Sequence, residues 1–92
     1  MNRHLHVFKK HQDAVAAFYA NEPEEYDMIW HSRLRVQTGN DEQWYAAVPN
    51  MRVAHNFAGN EFVSMQFHYE PDPKVREYLE SRIRWPRTGI KL

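Results

Sequence analysis

The sequence contains no cysteine. This absence excludes disulfide bonds, thiolate metal ligands and a cysteine nucleophile, and it fits a reducing cytosol. The chain also has no apolar run approaching the ~20 residues that a membrane-spanning helix needs. From these two absences we expect a soluble protein located in the cytoplasm.

Neither sign of charge is in excess. The 92 residues include 12 Lys and Arg and 12 Asp and Glu, which gives a formal net charge of zero at pH 7. Proteins that bind nucleic acid mainly through electrostatics usually carry a visible surplus of basic residues. A DNA mimic would instead carry a surplus of acidic residues. The composition of the whole chain therefore indicates neither class.

The signatures of common enzyme classes are missing as well. There is no glycine-rich phosphate loop, no G-x-S-x-G and no H-E-x-x-H. Each of these motifs supplies a mechanism, such as a phosphate cradle, an exposed serine nucleophile or a zinc site. We therefore expect a protein without catalytic activity and without a cofactor.

The composition does indicate a folded chain. The apolar share is 42% and the aromatic share is 14%, which is too aromatic for a typical disordered segment. A chain of 92 residues is expected to form a single domain, which we predict to span residues 1–92. Residues 85–92 form a short basic tail in this prediction.

The stretch at residues 28–38 is the clearest pattern in the sequence. Met28, Trp30, Leu34 and Val36 fall on one side, with Ser32 among them, and the other side is mostly polar and basic apart from Ile29. Such alternation places successive side chains on opposite faces of a strand. We predict one continuous central strand here. The remaining pattern predicts strands at 3–8, 43–48 and 62–69, and helices at about 9–20 and 73–84.

These elements follow one another in the order β-α-β-β-β-α. Each predicted helix has one apolar stripe and each predicted strand has one apolar face, so the two sets can be buried together. We predict an α+β fold, a two-layer sandwich in which two helices cover one face of a four-stranded, mainly antiparallel sheet.

The polar sides of the strands bring together a set of functional side chains. If each apolar side meets the helices, the opposite face carries four of the six histidines together with arginine and tyrosine. Interfaces favour arginine and tyrosine, although a solvent-facing sheet is ordinarily polar too. The face comprises His4, His6, His31, Arg33, Arg35, Tyr45, Ser64, Gln66 and His68.

Residues 49–61 are the longest segment without a strand or helix pattern. Long loops in small domains are often functional, but an irregular edge strand at 51–53 followed by a turn at 59–60 fits as well. Arg52 and His55 are its notable polar side chains. The predicted partner-binding residues are therefore His31, Arg33, Arg35, Tyr45, Arg52 and His55.

Three functions compete for these residues. The first is a small non-catalytic protein that docks on a larger protein or ribonucleoprotein machine; in style, it resembles the accessory and inhibitor proteins encoded by phages. The second is direct binding of RNA or single-stranded DNA by the basic sheet face. In that alternative the C-terminal helix and tail add Arg76, Arg82, Arg84, Arg87 and Lys91.

The third function is binding of Zn²⁺ by imidazole nitrogens. His4 and His6 lie on one strand, and His31 or His68 could complete such a site. A homodimer formed through the open sheet face would bury the same residues.

Overall fold

The structure, a computed structural model, describes residues 1–82. It confirms the α+β class but contains more elements than the sequence predicts. The predicted basic tail at 85–92 and the end of the last predicted helix lie outside the described residues. The elements are β1 (Asn2–Phe8), α1 (His11–Ala20), β2 (Met28–Trp30), β3 (Arg35–Thr38), β4 (Asp41–Ala47), α2 (Met51–Ala54), a 3-10 turn (His55–Phe57), β5 (Ser64–Phe67) and α3 (Pro73–Arg82).

The sheet has five strands in the order β2-β3-β4-β1-β5. Strand β1 runs parallel to both β4 and β5, whereas β2–β3 and β3–β4 are antiparallel pairs. The prediction of a four-stranded, mainly antiparallel sheet is therefore wrong. Hydrophobic alternation identifies strands but contains no information on their neighbours, and β1 is inserted between two strands from the second half of the chain.

The predicted central strand at 28–38 is in fact a hairpin at the edge of the sheet. Trp30 pairs with Arg35 and Ile29 pairs with Val36, and the four residues between β2 and β3 form the turn. Leu34 closes this turn at φ 55°, which is uncommon for a residue other than glycine. Its buried side chain anchors the turn against α1 and β4.

This hairpin reverses the sheet face to which the alternation pattern assigned Arg35. Paired residues of antiparallel strands point to the same face, so Arg35 shares a face with Trp30. It also shares that face with Trp44, its partner on β4. Arg35 therefore lies on the face opposite to Tyr45.

Helices cover both faces of the sheet, so the two-layer prediction is also wrong. On one face, Ala14 and Phe18 of α1 pack with Phe8, Val36 and Tyr45. We call this the Tyr45 face. The other face, the Trp44 face, is covered by α2 and α3; its buried cluster comprises Leu5, Val7, Trp44, Val48, Ala54, Phe62, Val75 and Leu79.

The segment at 49–61 is neither an open loop nor an edge strand. The side chain of Asn50 accepts a hydrogen bond from the backbone N–H of Val53 at 3.1 Å, which caps the start of α2. Ala54 of this short helix is fully buried. The segment is thus part of the core on the Trp44 face.

The predicted start of the last helix is confirmed. The carboxylate of Asp72 accepts a hydrogen bond from the backbone N–H of Lys74 at 2.8 Å, and Pro73 is the first residue of α3. Pro is favoured there because its missing N–H would have no helical partner. Among the described residues, no helix has the length and apolar character required to cross a membrane.

Candidate functional site

Two arginines flank Trp44 on the Trp44 face. The guanidinium carbon of Arg35 lies 3.4 Å from the centroid of the Trp44 ring, and that of Arg3 lies 5.5 Å from it. The three residues come from β3, β4 and β1, which are adjacent in the sheet. Strand register therefore fixes this arrangement, because Arg35 is paired with Trp44.

A buried carboxylate holds the group together. Glu42 lies two residues before Trp44 on the same face and is 8% exposed. The indole Nε1 of Trp44 donates a hydrogen bond to Glu42 Oε1. Arg3 Nε lies 3.4 Å from the same oxygen, yet this buried nitrogen has no hydrogen-bond partner within residues 1–82.

A third arginine adds to the positive charge. Burial lowers the pKa of Arg35, the nearby guanidinium of Arg33 lowers it further, and the carboxylate of Glu42 opposes both effects. Arg3 also lowers it. We call Arg3, Arg33 and Arg35, together with Glu42 and Trp44, the arginine cluster.

The cluster has more cations than anions. It contains three guanidinium groups and one carboxylate, and within residues 1–82 neither Arg33 nor Arg35 forms an ion pair through its side chain. Residues 83–92 contain no Asp or Glu. The side chain of Arg3 is 41% exposed, and Arg33 is exposed, so the cluster is accessible from solvent.

The other predicted sheet-face residues lie elsewhere. Tyr45 is only 8% exposed, because Phe18 of α1 packs against its ring at 5.9 Å, and burial raises the pKa of Tyr45. His31 is exposed in the β2–β3 turn and stacks on Tyr19 of α1 at 6.0 Å. The prediction that both share a surface with Arg35 is wrong.

Arg52 and His55 lie on α2 and on the 3-10 turn that follows it. Arg52 is exposed on α2, and the ring of His55 lies 4.7 Å from that of Tyr78. The six predicted residues are thus divided among three places, and only Arg33 and Arg35 remain together.

On β1, β4 and β5, the prediction that the polar side chains share one face of the sheet is confirmed. His4 pairs with Ser64, while His6 pairs with both Tyr45 and Gln66. These side chains share the Tyr45 face; Tyr45 is buried under α1, whereas Ser64 and Gln66 are exposed. His4 Nδ1 lies 2.7 Å from Ser64 Oγ, and its Nε2 lies 3.1 Å from Asp41 Oδ1.

A second set of contacts joins two histidines across β1 and β5. His6 Nε2 donates to Gln43 Oε1 at 2.7 Å, and His6 Nδ1 lies 3.1 Å from His68 Nε2. With its Nε2 proton engaged, neutral His6 accepts at Nδ1, so His68 must donate. Burial and the neighbouring His6 both lower the pKa of His68.

These histidine contacts also bear on the metal alternative. His4 and His6 do lie on one face, but their ring nitrogens contact different partners. Within the described part of the chain, no group of three or more His, Asp or Glu side chains is arranged to hold a metal ion.

The residues of the nucleic-acid alternative have contacts of their own. Arg76 lies 3.7 Å from the carboxylate of Glu70 and 4.9 Å from the ring of Phe67. Arg82 lies 5.7 Å from the ring of Tyr78. Arg84, Arg87 and Lys91 lie outside the described residues.

Sequence reasoning missed Arg3, Glu42 and Trp44 as site residues. The signal was present, because Arg3 precedes Leu5 and Val7 on the apolar side of β1, and Glu42 precedes Trp44 on the apolar side of β4. Opposite charges at the starts of two apolar faces indicate a paired polar group at the rim of a core.

Comparison with known proteins does not identify a family for this chain. No protein-family model, no curated protein and no solved structure matches the chain.

Proposed function

We propose that the chain is a small non-catalytic binding protein that docks on a larger protein, or on the protein part of a ribonucleoprotein machine. The observation that carries the proposal is the arginine cluster, in which Arg35 stacks on Trp44, Arg3 contacts the buried carboxylate of Glu42 and Arg33 adds a third positive charge nearby. A partner that supplies hydrogen-bond acceptors would satisfy donors that have no partner within residues 1–82. Accessory and inhibitor proteins encoded by phages act in this way, by covering a surface of a larger assembly.

The contacts within the arginine cluster support the proposal that it is the surface that contacts a partner. Arginine and tryptophan are the residues most enriched among those that dominate binding energy. Arg35 is held by its stack on Trp44, and Arg3 is held by its ion pair with Glu42. Both side chains are therefore positioned before a partner binds. Side chains that are already ordered lose less conformational entropy when they bind.

Direct binding of RNA or single-stranded DNA stays the alternative, with weaker support. That alternative needs aromatic rings on which bases can stack. Tyr45 is buried beneath α1, and one face of Trp44 is occupied by Arg35. The proposal therefore favours a protein partner.

The test is capture of partners from cell lysate by the tagged chain, with and without nuclease. We expect a protein that is retained after nuclease treatment and is lost with the Arg33→Gln plus Arg35→Gln double variant. The single variant Arg33→Glu changes an exposed residue that does not touch Trp44, so it should fold normally and still weaken capture. The matched control is Lys9→Gln plus Lys10→Gln, which removes two exposed positive charges elsewhere.

Two results would contradict the proposal. Capture that disappears after nuclease treatment would support the nucleic-acid alternative. Capture that is unchanged in both arginine variants, while they remain folded by circular dichroism, would show that the arginine cluster is not the contact surface.

A further inference from the structure

We infer that the arginine cluster binds side-chain carboxylates, so that its partner presents a short acidic protein segment. This inference rests on the proposed docking function and adds the chemical class of the partner.

The geometry of Arg35 suits a carboxylate. A separation of 3.4 Å between the guanidinium carbon and the Trp44 centroid is that of two planar groups stacked face to face. The donors of a guanidinium lie in its plane, so stacking on one face leaves its N–H edge available. That edge matches the two oxygens of a carboxylate in a bidentate pair.

The charge balance indicates how many carboxylates can be accommodated. Glu42 already interacts with Arg3, whereas Arg33 and Arg35 have no carboxylate partner within residues 1–82. Because three guanidinium groups and one carboxylate leave two positive charges in excess, two incoming carboxylates would bring the cluster to neutrality. They would also offset the repulsion that Arg33 and Arg3 exert on the guanidinium of Arg35, which adds to the effect of burial in lowering the pKa of Arg35.

A compact cluster favours a protein segment over a nucleic acid. A nucleic-acid backbone presents a long, regular row of phosphates and is bound by an extended basic stripe. Here Arg3, Arg33 and Arg35 form a local patch of a chain whose formal net charge is zero. The chain also contains four acidic residues at 22–27, which would repel an extended polyanion.

That acidic segment makes a second copy of this chain the competing occupant. Glu22, Glu24, Glu25 and Asp27 are all exposed. The experiment must therefore distinguish self-association from binding of a separate acidic segment.

The experiment is an NMR titration of the whole chain with a synthetic peptide that contains about six glutamates. The control peptide has the same length, with Gln in place of Glu. Signals to follow are the Nε–H groups of the arginines and the indole N–H of Trp44. We expect the Glu peptide to shift the signals of the arginine cluster, with the effect decreasing as salt screens the charges, and the Gln peptide to shift none.

Variants then locate the site. Arg33→Gln plus Arg35→Gln should raise the Kd for the Glu peptide by at least about tenfold, which corresponds to ~1.4 kcal/mol. Arg33→Gln alone leaves the stack on Trp44 intact and should give a smaller increase. Lys9→Gln plus Lys10→Gln removes the same number of charges and should leave the Kd unchanged.

Three outcomes would overturn the inference. The first is an absence of shifts with the Glu peptide at millimolar concentration. The second is a stronger response to a single-stranded oligonucleotide with the same number of charges. The third is concentration-dependent self-association that disappears in the double variant, because the occupant would then be a second copy of the chain.

The outcomes separate this inference from the docking proposal. If lysate capture depends on Arg33 and Arg35 but the Glu peptide does not bind, the docking function stands and the carboxylate chemistry is wrong. If lysate capture is independent of both arginines, the docking proposal itself is wrong, whatever the peptide does.

Discussion

Arg35 lies over the indole ring of Trp44, with its guanidinium carbon 3.4 Å from the ring centroid. The two residues are direct partners across β3 and β4. The β2–β3 turn determines this pairing, because a continuous strand at 28–38 would have kept Arg35 on the same face as His31. The contact therefore links the local geometry of one hairpin to the composition of the candidate binding surface.

The first prediction concerns the energy of this stack. Replacing Arg35 with Ala removes a cation–π contact and uncovers part of a buried tryptophan. We expect the free energy of unfolding to fall by about 1–2 kcal/mol. For a chain of this length, that corresponds to a decrease in Tm of very roughly 4–16 °C.

Thermal denaturation followed by circular dichroism measures this change. The control is Arg52→Ala, since Arg52 is an exposed arginine with no ring stacked on it among residues 1–82. Equal melting temperatures for the Arg35 variant and the wild type would show that the stack contributes nothing to stability.

The second prediction concerns the carboxylate beneath the arginines. In Glu42→Gln, the side-chain amide oxygen can still accept from the indole of Trp44, but the negative charge beside Arg3 and Arg35 is gone. Breaking a buried ion pair is strongly destabilising, although the partial exposure of Arg3 reduces the effect through screening. We expect a loss of about 1–3 kcal/mol.

Unfolding in urea is the suitable measurement, because urea is uncharged and does not screen the arginines. The destabilisation should become smaller in about 1 M NaCl, where charges are screened over ~3 Å. Glu22→Gln, at an exposed position, is the matched control. A loss that is independent of salt would indicate that packing, and not charge, is the role of Glu42.

The third prediction concerns a hydrogen bond between the ends of β4 and β5. The hydroxyl of Tyr69 donates to the backbone carbonyl of Val48 at 2.7 Å, and Val48 is fully buried. Tyr69→Phe keeps the ring but leaves that carbonyl without its donor, which should cost about 1 kcal/mol. Tyr26→Phe, at a tyrosine that is 44% exposed, should leave the urea midpoint unchanged, and equal midpoints for the two variants would contradict the prediction.

The fourth prediction concerns acid stability. The pKa of His68 is lowered in the folded chain, so below about pH 6.5 the unfolded chain binds more protons at this residue. Its contribution to stability is therefore complete above that pH and is lost as the pH falls through the unfolded pKa and towards the lower folded one.

Urea unfolding at several pH values between about 5 and 8 tests this assignment. His68→Gln should reduce the slope of the unfolding free energy against pH relative to the wild type. His11→Gln, at an exposed position at the start of α1, should leave the slope as it is. A slope that is unchanged in the His68 variant would assign the acid sensitivity to other groups.

Two tyrosines with raised pKa values predict that stability also decreases at high pH. Burial raises the pKa of Tyr45 and, together with Asp72, that of Tyr69. Both groups therefore favour the folded state below about pH 10, and this contribution is lost as the pH rises through the raised values. Tyr69→Phe should make the decrease in stability above pH 10 less steep.

By itself, the sequence determined the local elements. Alternation located β1 and β4 and placed His4 and Ser64 on the same face of the sheet, because side-chain direction along one strand follows from its own backbone. Asp72 and Pro73 located the start of α3, because capping depends only on neighbouring residues. The α+β class followed from these local signals.

Only the tertiary structure determined which strands are neighbours and which face of the sheet each helix covers. The turn at Leu34, whose left-handed backbone is held by burial of its side chain, reversed the face of Arg35. The insertion of β1 between β4 and β5 brought Arg3 beside Glu42 and Trp44. Packing of α1 on Phe8 and Tyr45 covered part of the face that the sequence analysis left open. These outcomes depend on contacts between residues far apart in the chain, which a pattern of neighbouring residues does not specify.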